Sequence, residues 1–351
     1  MTLPESRTST FCRNQLLEKM LAELSADLQV SENQLIGQQT GGFRYPLILV
    51  MGPLRSGTTL FMQWLANTGL VAYPTNLLSR FYQAPIIGAK IQLLLTDPRF
   101  NFRDELGEFV QQAEFNSENG KTKGVLAPNE FWYFWRRFLA EPGRDVWSDE
   151  ELKLSMDART MCAELAGIMD VFQKPLAAKG MLFNYNIPVL DSVFNKVLFV
   201  QIKRDPATNV ASVLEARKRQ LGNESAWYSF NIPEYERLKN LDPVMQTTGQ
   251  VYYINKAIEN GLQKVSDDRK LVFHYEEFCR SPESLFVQLK EKLGLSPAIP
   301  YQGAPRFAVS REPSPDLLNA VALALGYFEG SVPSAPTFAM PPAMPTINTR
   351  L

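Results

Sequence analysis

The feature that most restricts this chain is a short apolar run that ends on a glycine-bounded loop. Residues 45–51 read YPLILVM and lead into Gly52-Pro53-Leu54-Arg55-Ser56-Gly57-Thr58-Thr59. A run so short, apolar and partly β-branched predicts a strand buried on both faces. Residues 60–67 predict a helix, and Gly69 supplies its stop. Strand, tight loop and helix form the first half of a βαβ unit. Further apolar runs at 69–73, 179–183, 196–202 and 270–275 predict more strands, with helical stretches between them. The expected fold is therefore α/β, a parallel sheet flanked by helices on both faces.

Around that core the chain divides by pattern. Residues 1–42 are expected to be an N-terminal helical segment, closed by Gly41-Gly42. Within it, Leu17, Met20, Leu21, Leu24 and Leu28 share one helical face, as in an amphipathic helix docked on a larger body. Residues 43–330 form the main domain, in which 84–178 reads as a mostly helical insertion facing the first loop. Residues 331–351 carry Pro333, Pro336, Pro341, Pro342 and Pro345 without periodicity and are expected to be a loosely docked arm. At 351 residues, 45% of them hydrophobic, the chain can bury a full core without disulfides or a structural metal.

Charge and rare residues narrow the function. The 36 Lys+Arg against 37 Asp+Glu leave a net charge of -1, which argues against a nucleic-acid coat. Cys12, Cys162 and Cys279 lie far apart, so neither a disulfide framework nor a zinc site is expected. The single histidine, His274, excludes any mechanism or metal site that needs two. No basic start with an apolar run is seen, and no stretch approaches the ~20 apolar residues that span a bilayer. The expectation is a soluble, cytoplasmic chain without signal peptide or membrane anchor.

The first loop nearly matches the phosphate-binding pattern GxxxxGK[ST], with Thr58 where the nucleotide-binding lysine would stand. Successive backbone N–H groups and the positive end of the following helix still favour an anion there. Ser56, Thr58 and Thr59 add hydroxyl donors, and Arg55 adds a guanidinium. Kinases and NTPases use the missing lysine on the β/γ-phosphates, together with Mg²⁺. A donor with one phosphate and a terminal sulfonate carries less charge at this point and needs no metal. The competing reading is a plain strand–turn–helix whose small residues serve packing alone.

A second candidate anion site follows the run at 196–202, in Lys203-Arg204-Asp205-Pro206. Asp205 suits a helix N-cap and Pro206 the first helical position. Arg204 then stands at the carboxyl end of a strand, where open parallel sheets bind ligands. Ser212 lies two turns into the helix. Arginine and a serine hydroxyl at this spacing suit a compact, doubly charged phosphate monoester. The competing assignment pairs Arg204 with Asp205 and leaves Ser212 incidental.

Together these motifs resemble the sulfotransferase superfamily, whose donor is 3′-phosphoadenosine 5′-phosphosulfate. Its phosphosulfate loop, PxRSGTT, is matched by Pro53-Leu54-Arg55-Ser56-Gly57-Thr58-Thr59, and its 3′-phosphate motif, RDP…S, by Arg204-Asp205-Pro206…Ser212. A later Tyr275-Glu276-Glu277-Phe278…Pro282…Leu285…Leu289…Leu293-Gly294-Leu295 resembles its YED-L segment, so the likeness runs from about Tyr45 to Leu295. It implies a P-loop-NTPase-like sheet, no metal, and sulfuryl transfer to a hydroxyl or amine. Arginine in the first loop is similar to the Golgi-type and bacterial branches. The lysine, catalytic histidine and C-terminal dimerisation signature of the cytosolic phenol enzymes have no counterpart here.

The resemblance also implies further site residues. Many relatives carry Lys-x-Pro-x-Asn before the RDP strand; here Lys179 and Asn184 remain but the proline is absent. Lys179 is the candidate contact to the transferring sulfonate, beside Arg55. Arg306, Ser310 and Arg311 are candidates for a basic loop over the adenine and 3′-phosphate. The acceptor hydroxyl needs a base, and with no suitable histidine a carboxylate takes that role. Glu130, opening the aromatic stretch Phe131-Trp132-Tyr133-Phe134-Trp135, is the first choice, with Glu108, Glu114 and Glu118 as rivals. It could equally serve only to cap the helix that begins there.

On that helix Phe131, Phe134, Trp135 and Phe138 share a core face, while Trp132 and Tyr133 point elsewhere and could line an acceptor pocket, with core packing throughout as the favoured reading. The basic run Arg217-Lys218-Arg219 reads as a solvated helix face. The expected partner is a hydroxyl-bearing acceptor, a glycan or small metabolite ahead of a lipid or phenol. Two other functions compete: a P-loop phosphotransferase or nucleotide kinase, and a non-catalytic nucleotide-binding module.

Overall fold

Every residue of β1 (Leu47–Met51) is buried, as an apolar run covered on both faces must be. The computed structural model describes residues 14–105, 117–118, 121–139, 141, 143–309 and 312–331. Side chains of β1 alternate between two cores. Leu47, Leu49 and Met51 enter one, Ile48 and Val50 the other.

Helix α1 (Gln15–Gln38) precedes β1 and α2 (Thr58–Asn67) follows it. Then come α3 (Pro85–Thr96), a small hairpin of β2 (Ser117–Glu118) and β3 (Lys121–Thr122), α4 (Trp132–Arg136), α5 (Asp149–Ser155) and α6 (Ala158–Phe172). The chain returns through β4 (Leu176–Lys179), α7 (Ile187–Val193), β5 (Val197–Lys203), α8 (Pro206–Leu221), α9 (Tyr235–Leu238) and α10 (Pro243–Leu262). It continues through β6 (Lys270–His274), α11 (Tyr275–Arg280), α12 (Pro282–Lys292) and α13 (Pro315–Phe328). The main sheet has the order β4-β1-β5-β6, and all its pairs are parallel. Helices α2, α11 and α12 cover one face, and α4, α6, α7 and α10 the other. Among the described residues no helix is long and apolar enough to cross a membrane.

Register decides where function can gather. Val50 sits opposite both Lys179 and Val200, and Lys203 opposite His274. All four strands therefore deliver their carboxyl ends to one edge, the place where such sheets bind ligands.

Two strand expectations need correction. The run at 179–183 is not a strand: β4 ends at Lys179, and Met181–Phe183 is a 3₁₀ turn. The strand is built instead from Leu176-Ala177-Ala178, whose alanines carry little β-propensity and so conceal it. Gly180 marks the turn, because a Cβ there would fall 2.7 Å from the Met51 sulfur. The run at 69–73 contributes only a bridge between Ala72 and Leu176. Gly69, in a left-handed conformation, and Pro74 leave too few residues for a ladder.

Helix α1 is longer than its sequence pattern suggested. Leu21 is buried, Leu17, Leu24 and Leu28 are half-buried, and Met20 is exposed. The basic run also departs from expectation. Lys218 is exposed, but Arg217 is fully buried and donates to Gln246 Oε1, Gln250 Oε1 and the Glu224 carbonyl. Phe131, Phe134, Trp135 and Phe138 are all buried as expected, but they do not share one helix face: α4 holds only Phe134 and Trp135, and Phe131 is its left-handed N-cap.

A buried polar cluster ties α1, α3, α6 and the segment after α4 together. Glu32 accepts from the backbone N–H groups of Ile86 and Ile87 in the first turn of α3, at 2.8 and 3.0 Å. Arg137 grips Glu164 on α6 with two bonds, at 2.9 and 3.0 Å, and donates to the Tyr82 carbonyl. Burial drives the Glu164 carboxyl up to about 7 despite the attraction of Arg137, with Glu32 and Asp157 adding repulsion. Burial likewise raises Glu32. An acid with a raised folded pKa binds more protons folded than unfolded. Its contribution is full below the unfolded value and is lost as pH rises through the folded one. Carboxyls held low, such as Asp157, titrate below this window. We therefore expect the unfolding free energy of the wild type, read from urea titrations, to fall between about pH 5 and pH 7, by at most about 1.4 kcal/mol per pH unit per group. Glu164→Gln should flatten that slope in urea titrations run across the window.

Candidate active site

The first loop is shaped by its own backbone. Gly57 heads α2 with φ 99°, and Arg55 has φ 61°, both left-handed. That path leads the chain directly into α2, whose free N–H groups point back over the loop. A Cβ on Gly57 would fall 2.2 Å from Cδ2 of Tyr275, so only glycine lets the ring pack there. Two asparagines hold the loop from outside. Asn184 donates to the Gly52 carbonyl at 3.0 Å and accepts from its N–H at 3.3 Å, while Asn209 donates to the Leu54 carbonyl at 2.8 Å. Ser56 is wholly buried, and its hydroxyl oxygen has no hydrogen-bond partner among the described residues. An orphaned buried hydroxyl beside a left-handed, amide-lined turn suits an anionic group.

The second motif meets the first. Asp205 caps α8 by accepting from the Thr208 N–H at 2.8 Å, and its own N–H donates to Glu276 at 3.0 Å. Arg204 is buried; it donates to the Arg55 carbonyl and lies over the Tyr275 ring, 4.8 Å from the centroid. Ser212 accepts from Arg55 Nε at 3.2 Å. Arg55, expected at the sulfonate end, thus has its Nε turned to the second motif. Burial, with Arg55 adding repulsion, pulls the Arg204 pKa below the ordinary arginine range. An anion beside it would relieve that cost.

A third element comes from the insertion. Lys179, at the end of β4, is nearly inaccessible and donates to Thr59 Oγ1 at 2.9 Å and Glu130 Oε1 at 3.0 Å. Trp132 Nε1 donates to the other oxygen, Glu130 Oε2. Burial opposes charge on Glu130, but Lys179, the indole N–H and Arg55 outweigh it and hold the carboxyl below the usual glutamate range. Glu130 does not cap α4, since the N-cap position falls on Phe131.

Glu130 reaches the sheet edge by a polar path. Thr75 bridges Pro128, next to the contact of Ala72 with β4. Asn129 donates from its N–H to the Pro74 carbonyl at 2.8 Å and from Nδ2 to Asn76 at 2.9 Å. Asn76 also donates to the carbonyls of Thr122 and Gly124, fastening the hairpin loop.

Among the predicted residues, Arg55, Ser56, Gly57, Thr58, Thr59, Glu130, Lys179, Arg204 and Ser212 lie on segments linked by these bonds. Arg306 is exposed after α12 and has no hydrogen bond to the loops among the described residues. Ser310 and Arg311 lie outside the described residues, as do Glu108 and Glu114. Glu118 lies on β2. Trp132 was expected at an acceptor pocket or in the core rather than on Glu130, and Asn209, Asn76 and Asn129 were not foreseen. Their one signal is polarity in otherwise apolar or turn-forming stretches. The cleft of about 270 Å³ between α7 and α10 and that of about 580 Å³ between α1 and α6 include none of the motif residues. The candidate site is defined by its converging donors.

Comparison with known proteins identifies the family. Residues 46–298 match the profile of the sulfotransferase family. The chain belongs to that family, and by membership it is a transferase that uses 3′-phosphoadenosine 5′-phosphosulfate. The fold is similar to that of sulfotransferase STF9 from Mycobacterium avium, with a TM-score of 0.53 and 16% identity over 95% of this chain and 88% of that one. Sulfotransferase STF1 from Mycobacterium tuberculosis H37Rv gives 0.47 and 13%, over 79% and 73%. A search of curated proteins gives no match.

The loop geometry sets an expectation. Gly57→Ala combines a left-handed backbone with a clash against Tyr275, costs of about 1–3 kcal/mol each. The variant should lose about 2–6 kcal/mol of stability in denaturant titration.

Proposed function

We propose that this protein transfers a sulfuryl group from 3′-phosphoadenosine 5′-phosphosulfate to the hydroxyl of an acceptor, with Glu130 as general base. The observation that carries this reading is Lys179, whose ammonium touches both Thr59 of the first loop and Glu130. A cation in contact with both is suited to neutralise a sulfonate lying between loop and base.

In this reading the amides of the first loop, with Ser56, Thr58 and Thr59, hold the phosphosulfate. Arg204 and Ser212 hold the 3′-phosphate, and Arg55 neutralises charge shared by both ends. The adenine side is assigned to the stretch that contains Arg306, as the resemblance implies. Glu130 takes the proton of the acceptor hydroxyl as its oxygen bonds to sulfur. The bond from sulfur to the 5′-phosphate oxygen breaks, and its electron pair leaves with the bisphosphate. Because Glu130 is held below the ordinary glutamate range, it is ionised at neutral pH and loses its function only as the medium becomes acidic. A glycan or small-metabolite hydroxyl is the acceptor class this reading favours.

Two measurements test the assignment. In calorimetry, adenosine 3′,5′-bisphosphate should bind far better than ATP–Mg²⁺, and Arg204→Ala should weaken it by about 1.5–3 kcal/mol, the value of a charged hydrogen bond. A ligand lacking the 3′-phosphate should not register that substitution; an equal loss with both ligands refutes the role of Arg204. Glu130→Gln should bind the bisphosphate normally but lower kcat by about 10²–10⁴-fold on a panel of hydroxyl acceptors. Wild-type turnover from that variant moves the base elsewhere.

A further inference from the structure

We propose that Trp132 is the positioning residue of the candidate base: its indole N–H fixes Oε2 of Glu130 and leaves Oε1 as the oxygen that takes the proton. The inference rests on the reading of Glu130 as base and adds to it a partner and an atom.

The two carboxylate oxygens are treated differently. Oε2 accepts from Trp132, two residues along the same segment, and Oε1 accepts from Lys179, across the site. Lys179 has a second partner in Thr59 and can shift towards a sulfonate without losing all its bonds. Such a shift frees Oε1, while the indole keeps the carboxylate from rotating. An indole N–H is a donor only, so it cannot take the proton back.

The backbone between the two residues is bent for this contact. Phe131 has φ 58°, an uncommon left-handed conformation for a bulky residue, and it is held there by burial. Its ring stacks on Phe134 at 4.4 Å, and its N–H donates to Asn129 at 2.9 Å. Strain of this kind persists only where surrounding contacts over-determine it, and it clusters at functional sites. The indole itself is confined. Arg136 lies over it at 5.5 Å and Phe230 packs against it at 6.2 Å. Arg136 is in turn anchored by Asp145 at 2.7 Å, and Asp145 by the Asn231 N–H at 3.0 Å. Trp132 is therefore no free wall of an acceptor pocket. Tyr133, its exposed neighbour, is engaged with Tyr82 and Glu18.

The charged groups that act on Glu130 are Lys179 from β4 and Arg55 from the first loop, and the indole N–H adds to their effect. Removing that donor weakens the ionised form. In Trp132→Phe the Glu130 carboxyl should titrate higher than in wild type. This can be read from ¹³C carboxyl resonances, with Glu130→Gln identifying the signal. Release of bisphosphate from the donor, with water as acceptor, should fall about tenfold, the equivalent of one charged hydrogen bond. Its acid limb should move to higher pH, and affinity for the bisphosphate should stay within twofold.

A double-mutant cycle separates positioning from general damage. In the Glu130→Gln background, Trp132→Phe should cause no further loss. An additive tenfold fall, or an unmoved Glu130 titration, overturns the proposal. Phe230→Leu, which loosens the indole but keeps its N–H, should give a smaller shift of the same sign and serves if Trp132→Phe does not fold. No shift in that variant also overturns the proposal. Wild-type turnover in Glu130→Gln removes the base reading itself. Loss there with an unchanged limb in Trp132→Phe removes only the role of Trp132.

Discussion

The direct parallel pairing of β1 with β5 is the constraint on which the site depends. Because Met51 lies opposite Gln201, the loop after β1 and the arginine after β5 leave the sheet side by side. Arg204 then reaches the Arg55 carbonyl, and Arg55 reaches Ser212 two turns along α8. A strand inserted between β1 and β5 would part the two motifs by the spacing of one strand, about 4.8 Å. Outer strands complete the edge: β4 supplies Lys179 and β6 leads into Tyr275, the ring on which both Gly57 and Arg204 rest.

Charge at this edge is arranged against the preferences of a buried environment. Arg204 and Lys179 are both nearly inaccessible, and Arg55 stands close to the first of them. Burying cations together is unfavourable unless anions compensate; Glu130 does so beside Lys179, and Glu276 acts on Arg204. In the proposed reading, a ligand with a sulfonate and two phosphate groups would add further counter-charge there. The same imbalance explains why the edge can favour a dianion although the whole chain carries a net charge of only -1.

Sequence disclosed the parts of the site that local rules govern. The β1 run, the glycines, the Asp205 cap and the Pro206 start all follow from spacing and propensity, and each appears in the fold. The β4 strand was misread because two alanines and a lysine look like neither strand nor turn. Shifting it brings Lys179 from the expected start of a strand to the end of one, where it meets Thr59. Glu130 stood out by its neighbours, but its contacts with Lys179 and Trp132 depend on a left-handed Phe131 that no propensity anticipates. Arg217 shows the converse, a residue in a basic run that tertiary packing draws fully inside.

The two asparagines that clasp the first loop carry a consequence for ligand recognition. Gly52 and Leu54 are fastened by Asn184 and Asn209, side chains contributed by the turn after β4 and by α8. The loop therefore loses its conformational freedom when the chain folds, not when a ligand arrives. If the nucleotide binds as proposed, tightness of binding would then depend in part on Asn184 and Asn209, which hold the loop from outside.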